Sequence, residues 1–410
     1  MTQKMISGDS HIDLTWLPAD LFVSNAPDRL RKRMPRVEET AEGRRWYVGA
    51  KPFTWVAGGL SDSGDDRYVP GSSRRLDRME ETGFFSDGAR GVFRVSTPAL
   101  RLRDQKIDGV EAEVIYGILG ISAAYGAQTA WSESSKRGGE GHGIEDPEAL
   151  ATAYEIYNEW IAEFCKAEPS RFAGLACISG TSPEVASRQL RRAAEIGLRG
   201  AELDVSSLVE PVYHRDWDPL WATAAECGMP ISFHTLGLPW RSPKKADLEA
   251  YRWVCAGVLY TLFQLSGAEF LASIVFSGAC DRYPDFRFVL GECGIGWIPY
   301  VLRRMDEEYE NFSSEIGLSL KPSEFWARQG YSTFQNEVLS EEVISIVGAD
   351  NIIWGSDYPH PDGIWPDSRE VVERTLGHLD AKTRSKLVYD NASRLYRIRD
   401  NLRTSPPDHE

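Results

Sequence analysis

The sequence predicts an α/β protein built on a TIM-type (β/α)₈ barrel, with a large insertion after the first strand. From about residue 110, short apolar runs alternate with helical patterns, which is typical of βα units in a parallel sheet. An earlier apolar run brings the number of candidate strands to eight. The alternative, a doubly wound open sheet, would carry a Gly-rich phosphate turn after its first strand. This chain has Ser7-Gly8-Asp9-Ser10-His11 there.

The strands are predicted at residues 5–10, 112–116, 172–178, 200–203, 230–234, 273–277, 287–292 and 352–357. Two of the helices between them have clear starts. Asp146-Pro147 begins a helix over residues 147–166, and Ser182 begins one over residues 183–196. Because barrel enzymes place their active sites at the carboxyl ends of the strands, residues that follow a strand are the candidates for chemistry.

Residues 1–400 are predicted to form a single barrel domain, and the polar, Pro-containing residues 401–410 a disordered tail. Residues 35–108 interrupt the alternation, since they are rich in Gly, Arg and Asp and carry a cluster of aromatic side chains. An insertion after a barrel strand lies at the carboxyl face, so we predict that it caps the site. A second polar loop, at residues 132–143, is predicted to be mobile.

The composition is that of an acidic globular protein, with 46 Lys and Arg against 61 Asp and Glu and a formal net charge of −15. Such a charge repels phosphate backbones and anionic lipids, so we expect a small-molecule partner and neither nucleic acid nor membrane. Six Cys without CxxC spacing indicate reduced thiols, and the N-terminus lacks an apolar signal region, so the expected location is cytoplasmic. The membrane-like residues 253–280 are interpreted as a buried helix followed by a buried strand.

Three of the seven His residues, His11, His234 and His360, follow predicted strands directly or within a few residues. Asp9 and His11 are two residues apart, and such residues on a strand point to the same side. His234 and Asp357 end the fifth and eighth predicted strands. Each signal alone is also compatible with a turn, a cap or a hydrogen-bonded structural residue. Together, two imidazoles and two carboxylates predict a site for one Zn²⁺ or Mn²⁺ ion, with a position left for water or substrate.

Five blocks of sequence extend this pattern: Asp9-Ser10-His11, Asp218-Pro219-Leu220-Trp221 leading to His234, Phe276-Ser277-Gly278 through Tyr283-Pro284-Asp285-Phe286, Gly291-Glu292-Cys293-Gly294-Ile295-Gly296-Trp297, and Gly355-Ser356-Asp357-Tyr358-Pro359-His360. With them the chain resembles the amidohydrolase-related group of the amidohydrolase superfamily. That group contains aminocarboxymuconate-semialdehyde, resorcylate and carboxyvanillate decarboxylases. The resemblance spans nearly the whole chain outside residues 35–108, and the last two blocks are quite specific to the group.

The resemblance implies a barrel with one divalent metal held by Asp9, His11, His234 and Asp357, and a homodimer. Two departures matter. Strand one reads Asp9-x-His11, closer to the acidic-x-His pattern of the resorcylate enzymes than to the His-x-His of the first-named decarboxylase. Family members often place a His at the end of strand six, whereas the predicted strand six ends at Gly278. The particular reaction is therefore not carried over from the resemblance.

Other residues near the predicted strand ends each have two interpretations. Glu292, after the seventh predicted strand, either orients a metal ligand from behind or caps the next helix. His360 and Tyr358 either contact the substrate or fix their loop, since Pro359 makes it a rigid turn. Aromatic residues in loops at the same face either suit a planar substrate or serve packing: Trp16, Phe53, Trp55, Trp240 and Trp365.

The sequence thus predicts a metal-dependent decarboxylase acting on an aromatic or unsaturated carboxylic acid. The divalent ion would act as a Lewis acid on a substrate oxygen, and Asp357 would deliver a proton as carbon dioxide leaves. One alternative is a metal-dependent hydrolase of a C–N, C–O or activated C–C bond, in which Asp357 takes a proton from metal-bound water. A second alternative, from a different class, is a metal-free scaffold or binding protein on a barrel.

Overall fold

The computed structural model of the chain describes residues 3–57, 67–123, 143–235 and 248–398. Its strands are, in chain order, β1 (Ile6–His11), β2 (Arg36–Thr40), β3 (Gly43–Val48), β4 (Lys51–Trp55), β5 (Ala112–Tyr116), β6 (Phe172–Ile178), β7 (Gly200–Leu203), β8 (Ile231–His234), β9 (Phe288–Gly291), β10 (Gly330–Phe334) and β11 (Ile352–Trp354). Eight of them form one parallel sheet in the order β1-β5-β6-β7-β8-β9-β10-β11.

The first and last strands of this sheet approach each other and nearly close it into a barrel. The N–H of His11 donates to the Tyr358 carbonyl at 2.7 Å, and the N–H of Asp357 donates to the Asp9 carbonyl at 2.8 Å. Gly355 permits this approach, because a Cβ there would lie 2.5 Å from the Cβ of Asp9. The predicted (β/α)₈ barrel is confirmed, and its carboxyl end collects the residues that follow β1, β8, β9 and β11.

Helices follow the barrel strands, and two of them begin where the sequence predicts. The carboxylate of Asp146 accepts hydrogen bonds from the N–H groups of Glu148 and Ala149, and the hydroxyl of Ser182 accepts one from Val185. The α-helices are α1 (Leu21–Asn25), α2 (Arg74–Glu80), α3 (Phe84–Ala89), α4 (Pro98–Asp108), α5 (Pro147–Cys165), α6 (Pro183–Glu195), α7 (Asp218–Cys227), α8 (Leu248–Leu262), α9 (Gly267–Phe276), α10 (Ala279–Arg282), α11 (Ile298–Ile316), α12 (Pro322–Gln329), α13 (Glu341–Val347), α14 (Ser368–Leu376), α15 (Ala381–Ser385) and α16 (Asn391–Leu395).

The predicted strand at residues 273–277 is wrong, because these residues lie at the end of α9 and just after it. Leu271, Ile274 and Val275 recur at helical spacing and are fully buried. A helix that is apolar on most sides has the same local composition as a buried strand, so the apolar run alone does not separate the two. The membrane-like stretch is only partly packed: Gly257–Phe276 is long and apolar enough to cross a membrane by composition, and α9 at its end contacts β8 and β9. Val254 and Tyr260 of α8 are exposed, so the expected buried helix is confirmed only in part.

The strand β10 takes the place of the wrong one and was not predicted. It is five residues long, and the buried hydroxyls of Ser332 and Thr333 give it no continuous apolar run. β9 is therefore the sixth strand of the barrel and β10 the seventh. As a consequence, Glu292 follows strand six, and Gly278, which lies between α9 and α10, does not end a barrel strand.

The insertion between β1 and β5 is attached to the carboxyl end of β1. Its strands β2, β3 and β4 form an antiparallel sheet, and the helices α2, α3 and α4 follow. Arg101 of α4 is fully buried, forms an ion pair with Glu113 at 2.7 Å and donates to the His11 carbonyl at 2.9 Å. That the insertion caps the site, and that residues 1–400 form a single domain, stay predictions. The predicted tail, and residues 132–142 of the polar loop, lie outside the described residues.

Candidate metal centre

The carboxyl ends of β1, β8 and β11 bring the four predicted metal ligands together. The Nε2 atom of His11 lies 3.2 Å from Oδ1 of Asp9 and 3.3 Å from Oδ1 of Asp357. The Nε2 atom of His234 lies 3.7 Å from the same oxygen of Asp9. Ligand atoms about 2.0–2.2 Å from one ion lie roughly 3–3.5 Å from each other. The two separations from His11 fit donors that share a single cation, and the separation from His234 is slightly longer. Asp9, His11 and His234 form one candidate metal group, and Asp357 is linked to it through His11, in a second group that also contains His360.

These ligand atoms are buried and, within the described part of the chain, have no hydrogen bond of good geometry. They are Asp9 Oδ1, His11 Nε2, His234 Nε2 and both carboxylate oxygens of Asp357. Burying a polar atom without a hydrogen-bond partner costs free energy. Several such atoms in one place therefore indicate a missing binding partner. The donor set of two imidazoles and two carboxylates suits Zn²⁺ and Mn²⁺ alike, so the residues present fit a divalent ion.

Neighbouring side chains hold these ligands in place. Oγ1 of Thr333 donates to Oδ2 of Asp9 at 2.8 Å, so the other oxygen is the one aimed at the cation position. Nδ1 of His234 lies 3.3 Å from the Thr235 carbonyl, and a proton on that nitrogen leaves the Nε2 lone pair for a metal. The ring of Tyr116 stacks on His11, with centroids 5.4 Å apart.

The buried carboxylates of Asp9 and Asp357 favour their charged forms. Burial raises the pKa of Asp9, but the close approach of the His11 and His234 imidazoles outweighs burial and holds that pKa below its ordinary value. For Asp357, the charge of His360 and a contact with His11 likewise outweigh burial and lower the pKa. Two ionised carboxylates in a buried setting attract a cation.

Glu292 contacts the same centre from the end of β9. Nε2 of Gln335 donates to its Oε1 at 3.1 Å, and its Oε2 lies 3.8 Å from Nε2 of His234. Burial, followed by the charge of Asp357, raises the pKa of Glu292 well above its ordinary value. The strand-six position, where the resemblance led us to expect a His, is thus held by Glu292. Its Oε2 faces the metal-facing Nε2 of His234 and not Nδ1, so this contact is not the one by which a residue orients a ligand from behind; the orienting role stays a prediction.

The two residues predicted after Asp357 occupy different surroundings. His360 lies beside the centre, with its Nδ1 2.9 Å from Oδ1 of Asp357. Tyr358 instead points into the insertion: it is 4% exposed, and its hydroxyl donates to Asp104 at 2.8 Å. Of the two predicted interpretations for Tyr358, this geometry favours fixing the loop over contacting the substrate. Its ring packs edge-on against Trp365, with centroids 5.1 Å apart.

Most of the aromatic residues predicted near a planar substrate pack inside the protein. Their side chains are buried, and Trp365 also donates its indole N–H to the Asp104 carbonyl. The fifth residue, Trp240, lies outside the described residues. The buried members are Trp16, Phe53, Trp55 and Trp365.

Several residues of the centre were missed from the sequence. Asp13 continues the alternation of Asp9 and His11, so an Asp-x-His-x-Asp pattern is the signal that could have found it. Asp362 shares a ligand cluster with Glu292 and Asp357, and burial followed by the charge of Asp357 raises its pKa to about 6. The others, which carried no signal in the sequence, are Thr333 and Gln335.

A βα barrel whose strand ends hold converging imidazoles and carboxylates is an arrangement typical of metal-dependent barrel enzymes. A family model described as "Amidohydrolase" matches residues 129–398, well over half of the chain. The chain belongs to the amidohydrolase family, and it is an enzyme, a lyase or hydrolase of that superfamily.

Curated relatives at low identity are decarboxylases. A gamma-resorcylate decarboxylase from Polaromonas sp. is 26% identical over 262 residues, which cover 59% of this chain and 75% of that protein. A gamma-resorcylate decarboxylase from Rhodococcus jostii is 25% identical over 255 residues, covering 56% of this chain and 75% of the relative.

Solved structures with this fold cover almost the whole chain. An amidohydrolase from Mycobacterium avium subsp. paratuberculosis superposes with a TM-score of 0.70 at 18% identity, over 97% of this chain and 100% of that one. A dihydroxybenzoic acid decarboxylase from Polaromonas sp., solved with bound manganese and the inhibitor 2-nitroresorcinol, gives a TM-score of 0.57 at 18% identity, over 97% and 98% of the two chains. At this identity the likeness establishes the fold.

Proposed function

We propose that the chain is a metal-dependent decarboxylase of an aromatic or unsaturated carboxylic acid. The observation that carries the proposal is the convergence of Asp9, His11, His234 and Asp357, whose buried ligand atoms have no hydrogen bond of good geometry among the described residues. The decarboxylases among its relatives support the reaction class. Aromatic acids with a hydroxyl next to the carboxylate are the proposed substrates, since the curated relatives are named for resorcylate.

Each residue of the centre has a part in this proposal. Asp9, His11, His234 and Asp357 would hold the divalent ion, which when bound supplies Lewis-acid chemistry to a substrate oxygen. In the reaction, the bond between the ring and the carboxylate carbon breaks, carbon dioxide leaves and a proton takes its place. The lowered pKa of Asp357 keeps its carboxylate ionised, so Asp357 would first take up a proton from the substrate hydroxyl or from solvent and then deliver it to the ring carbon.

Both Mn²⁺ and Zn²⁺ fit the donor set, and we propose manganese as the first ion to test. Hard carboxylate oxygens suit Mn²⁺, imidazole nitrogens suit both ions, and the Polaromonas decarboxylase structure contains manganese. The carboxylate of Glu292, held by Gln335, would border the substrate position on the side of β9.

The test combines metal analysis with a substrate screen. The purified chain is assayed for bound metal, stripped with a chelator, restored with Mn²⁺ or Zn²⁺, and screened for carbon dioxide release from hydroxylated aromatic acids. We expect about one ion per chain, metal-dependent release, and loss of turnover in Asp357→Asn with the fold intact. The control is Asp350→Asn, which removes the same charge from an exposed residue that pairs with Lys386 at 2.8 Å.

Other outcomes would contradict parts of the proposal. Stoichiometric metal without carbon dioxide from any acid would reject the decarboxylase and favour the hydrolase. A chain that takes up no ion under any reconstitution would reject the metal centre and return the barrel to the scaffold alternative. Undiminished turnover in Asp357→Asn would reject the assigned role of Asp357.

A further inference from the structure

His360 lies between two carboxylates at the edge of the metal centre. Its Nε2–H donates to Oδ2 of Asp13 at 3.0 Å, and its Nδ1 lies 2.9 Å from Oδ1 of Asp357. The imidazole also stacks on His11, with ring centroids 4.1 Å apart and an interplanar angle of 27°. Both ring nitrogens of His360 therefore face carboxylate oxygens of the protein, which leaves neither of them directed at a substrate.

The backbone fixes the distance between His360 and Asp357. The N–H of His360 donates to the Asp357 carbonyl at 2.8 Å, and the His360 carbonyl accepts the N–H of Gly363 at 3.1 Å. Asp357 itself has a φ of 54°, in the left-handed region that a non-glycine residue rarely adopts, and such conformations persist where the surroundings hold them. The tight turn between Asp357 and Gly363 therefore determines the position of the His360 imidazole relative to the Asp357 carboxylate.

Asp13 is held equally firmly on the opposite side of the imidazole. It is 4% exposed, and its carbonyl accepts the N–H of Trp16 at 3.0 Å at the start of the buried 3₁₀ turn Leu14–Trp16. The hydrogen bond between Asp13 and His360 therefore joins the loop after β1 to the loop after β11, the same two strand ends that supply Asp9 and Asp357.

We propose that Asp13 and His360 form a positioning pair that holds the carboxylate of Asp357 in its working orientation. His360 is then neither a metal ligand nor a substrate contact, because its Nδ1 faces an oxygen of Asp357 at hydrogen-bond distance and its Nε2 is occupied by Asp13. The inference rests on the proposed function where it assigns the chemistry to Asp357. Its geometric content, that the pair orients Asp357, does not depend on the substrate.

The expected size of the effect follows from the sensitivity of metal sites to their supports. Loss of a group that orients a metal ligand lowers metal affinity or activity by about 10–100-fold, and a misplacement of about 1 Å costs about 100-fold in rate. Because Asp13 and His360 act through the same carboxylate, removing both should cost little more than removing either.

The experiment separates the two ring nitrogens and then the two members of the pair. In His360→Asn the amide replaces Nδ1 and keeps the contact with Asp357, whereas in His360→Gln it replaces Nε2 and keeps the contact with Asp13. Asp13→Ala removes the distant partner, and Asp13→Asn retains an acceptor oxygen. For each variant we measure kcat, KM, the affinity for Mn²⁺ by electron paramagnetic resonance titration, the melting temperature, and the crystal structure around Asp357.

We expect His360→Gln and Asp13→Ala to lower kcat or Mn²⁺ affinity by about 10–100-fold, with KM within about threefold of wild type. Asp13→Asn, which retains an acceptor oxygen, should recover most of the loss. His360→Asn, which loses the hydrogen bond to Asp13, should lose as much as Asp13→Ala. Crystal structures should show the Asp357 carboxylate rotated in His360→Gln, and this readout holds even if no substrate is found. The crystal structures therefore distinguish failure of the positioning pair from failure of the proposed function.

Three results would overturn the positioning pair. Asp13→Ala with wild-type kcat and Mn²⁺ affinity would show that His360 acts alone. A rise confined to KM in the His360 variants would make it a substrate contact, and complete loss of stoichiometric metal in His360→Asn would make it a ligand. If Asp13→Ala does not fold, His360→Asn decides, because it breaks the same hydrogen bond to Asp13; wild-type kcat and Mn²⁺ affinity in this variant would contradict the proposal.

Discussion

Replacing Thr333 with valine tests how far the metal centre depends on one buried hydroxyl. Oγ1 of Thr333 donates to Oδ2 of Asp9 at 2.8 Å and accepts the N–H of Glu292 at 2.6 Å. A hydrogen bond to a charged group contributes about 1.5–3 kcal/mol, and a buried N–H left without an acceptor costs about 1–3 kcal/mol. We therefore expect the free energy of unfolding of the metal-free chain to fall by about 2.5–6 kcal/mol.

Metal binding should weaken in the same variant, because Asp9 loses the contact that turns its free oxygen toward the cation. The expected loss of Mn²⁺ affinity is about 10–100-fold. Urea denaturation of the metal-free protein and a Mn²⁺ titration give the two quantities. The matched control is Thr261→Val, at an exposed residue whose hydroxyl bonds to a carbonyl of its own helix. If Thr333→Val matches this control in both measurements, the supporting role of β10 is refuted.

Three further predictions concern the barrel around the site. Burial raises the pKa of Asp108 to about 7, so the folded chain binds this proton more tightly than the unfolded chain. The free energy of unfolding should therefore fall as pH rises from about 4 to 7. Urea denaturation of Asp108→Asn should lack this part of the pH dependence. Burial also raises the pKa of the Cys280 thiol to about 12, so mass spectrometry should find it unmodified by thiol reagents at pH 8 until urea unfolds the protein. Gly355→Ala would place a Cβ 2.5 Å from that of Asp9 and should abolish Mn²⁺ binding and lower the melting temperature. Gly257→Ala, at a helix position with open space around it, should leave Mn²⁺ binding unchanged and should not lower the melting temperature.

The barrel could be predicted wherever a strand is a continuous apolar run. The strands at residues 112–116, 172–178 and 200–203 agree with the structure to the residue. The prediction failed for β10, whose hydroxyl groups serve the site, and for α9, whose apolar residues serve packing. Both errors arise because local composition reports burial and not the partner that the buried side chain meets.

The centre could be predicted for residues that end recognisable strands. Asp9, His11, His234 and Asp357 are brought together as the spacing required. Asp13 was missed, since its partner His360 is distant in sequence and only the closed barrel brings the two into contact. The strand wrongly predicted at residues 273–277 also shifted the numbering of the barrel strands. Glu292 was therefore assigned to strand seven, whereas it follows strand six.

The central claim is that one divalent ion is held by Asp9, His11, His234 and Asp357. Anomalous diffraction on Mn²⁺-loaded crystals, recorded on both sides of the manganese and zinc absorption edges, tests it directly. The account predicts a single manganese peak about 2.0–2.3 Å from Nε2 of His11 and of His234 and from oxygens of both carboxylates. No peak at this position, or a peak elsewhere in the protein, would contradict it.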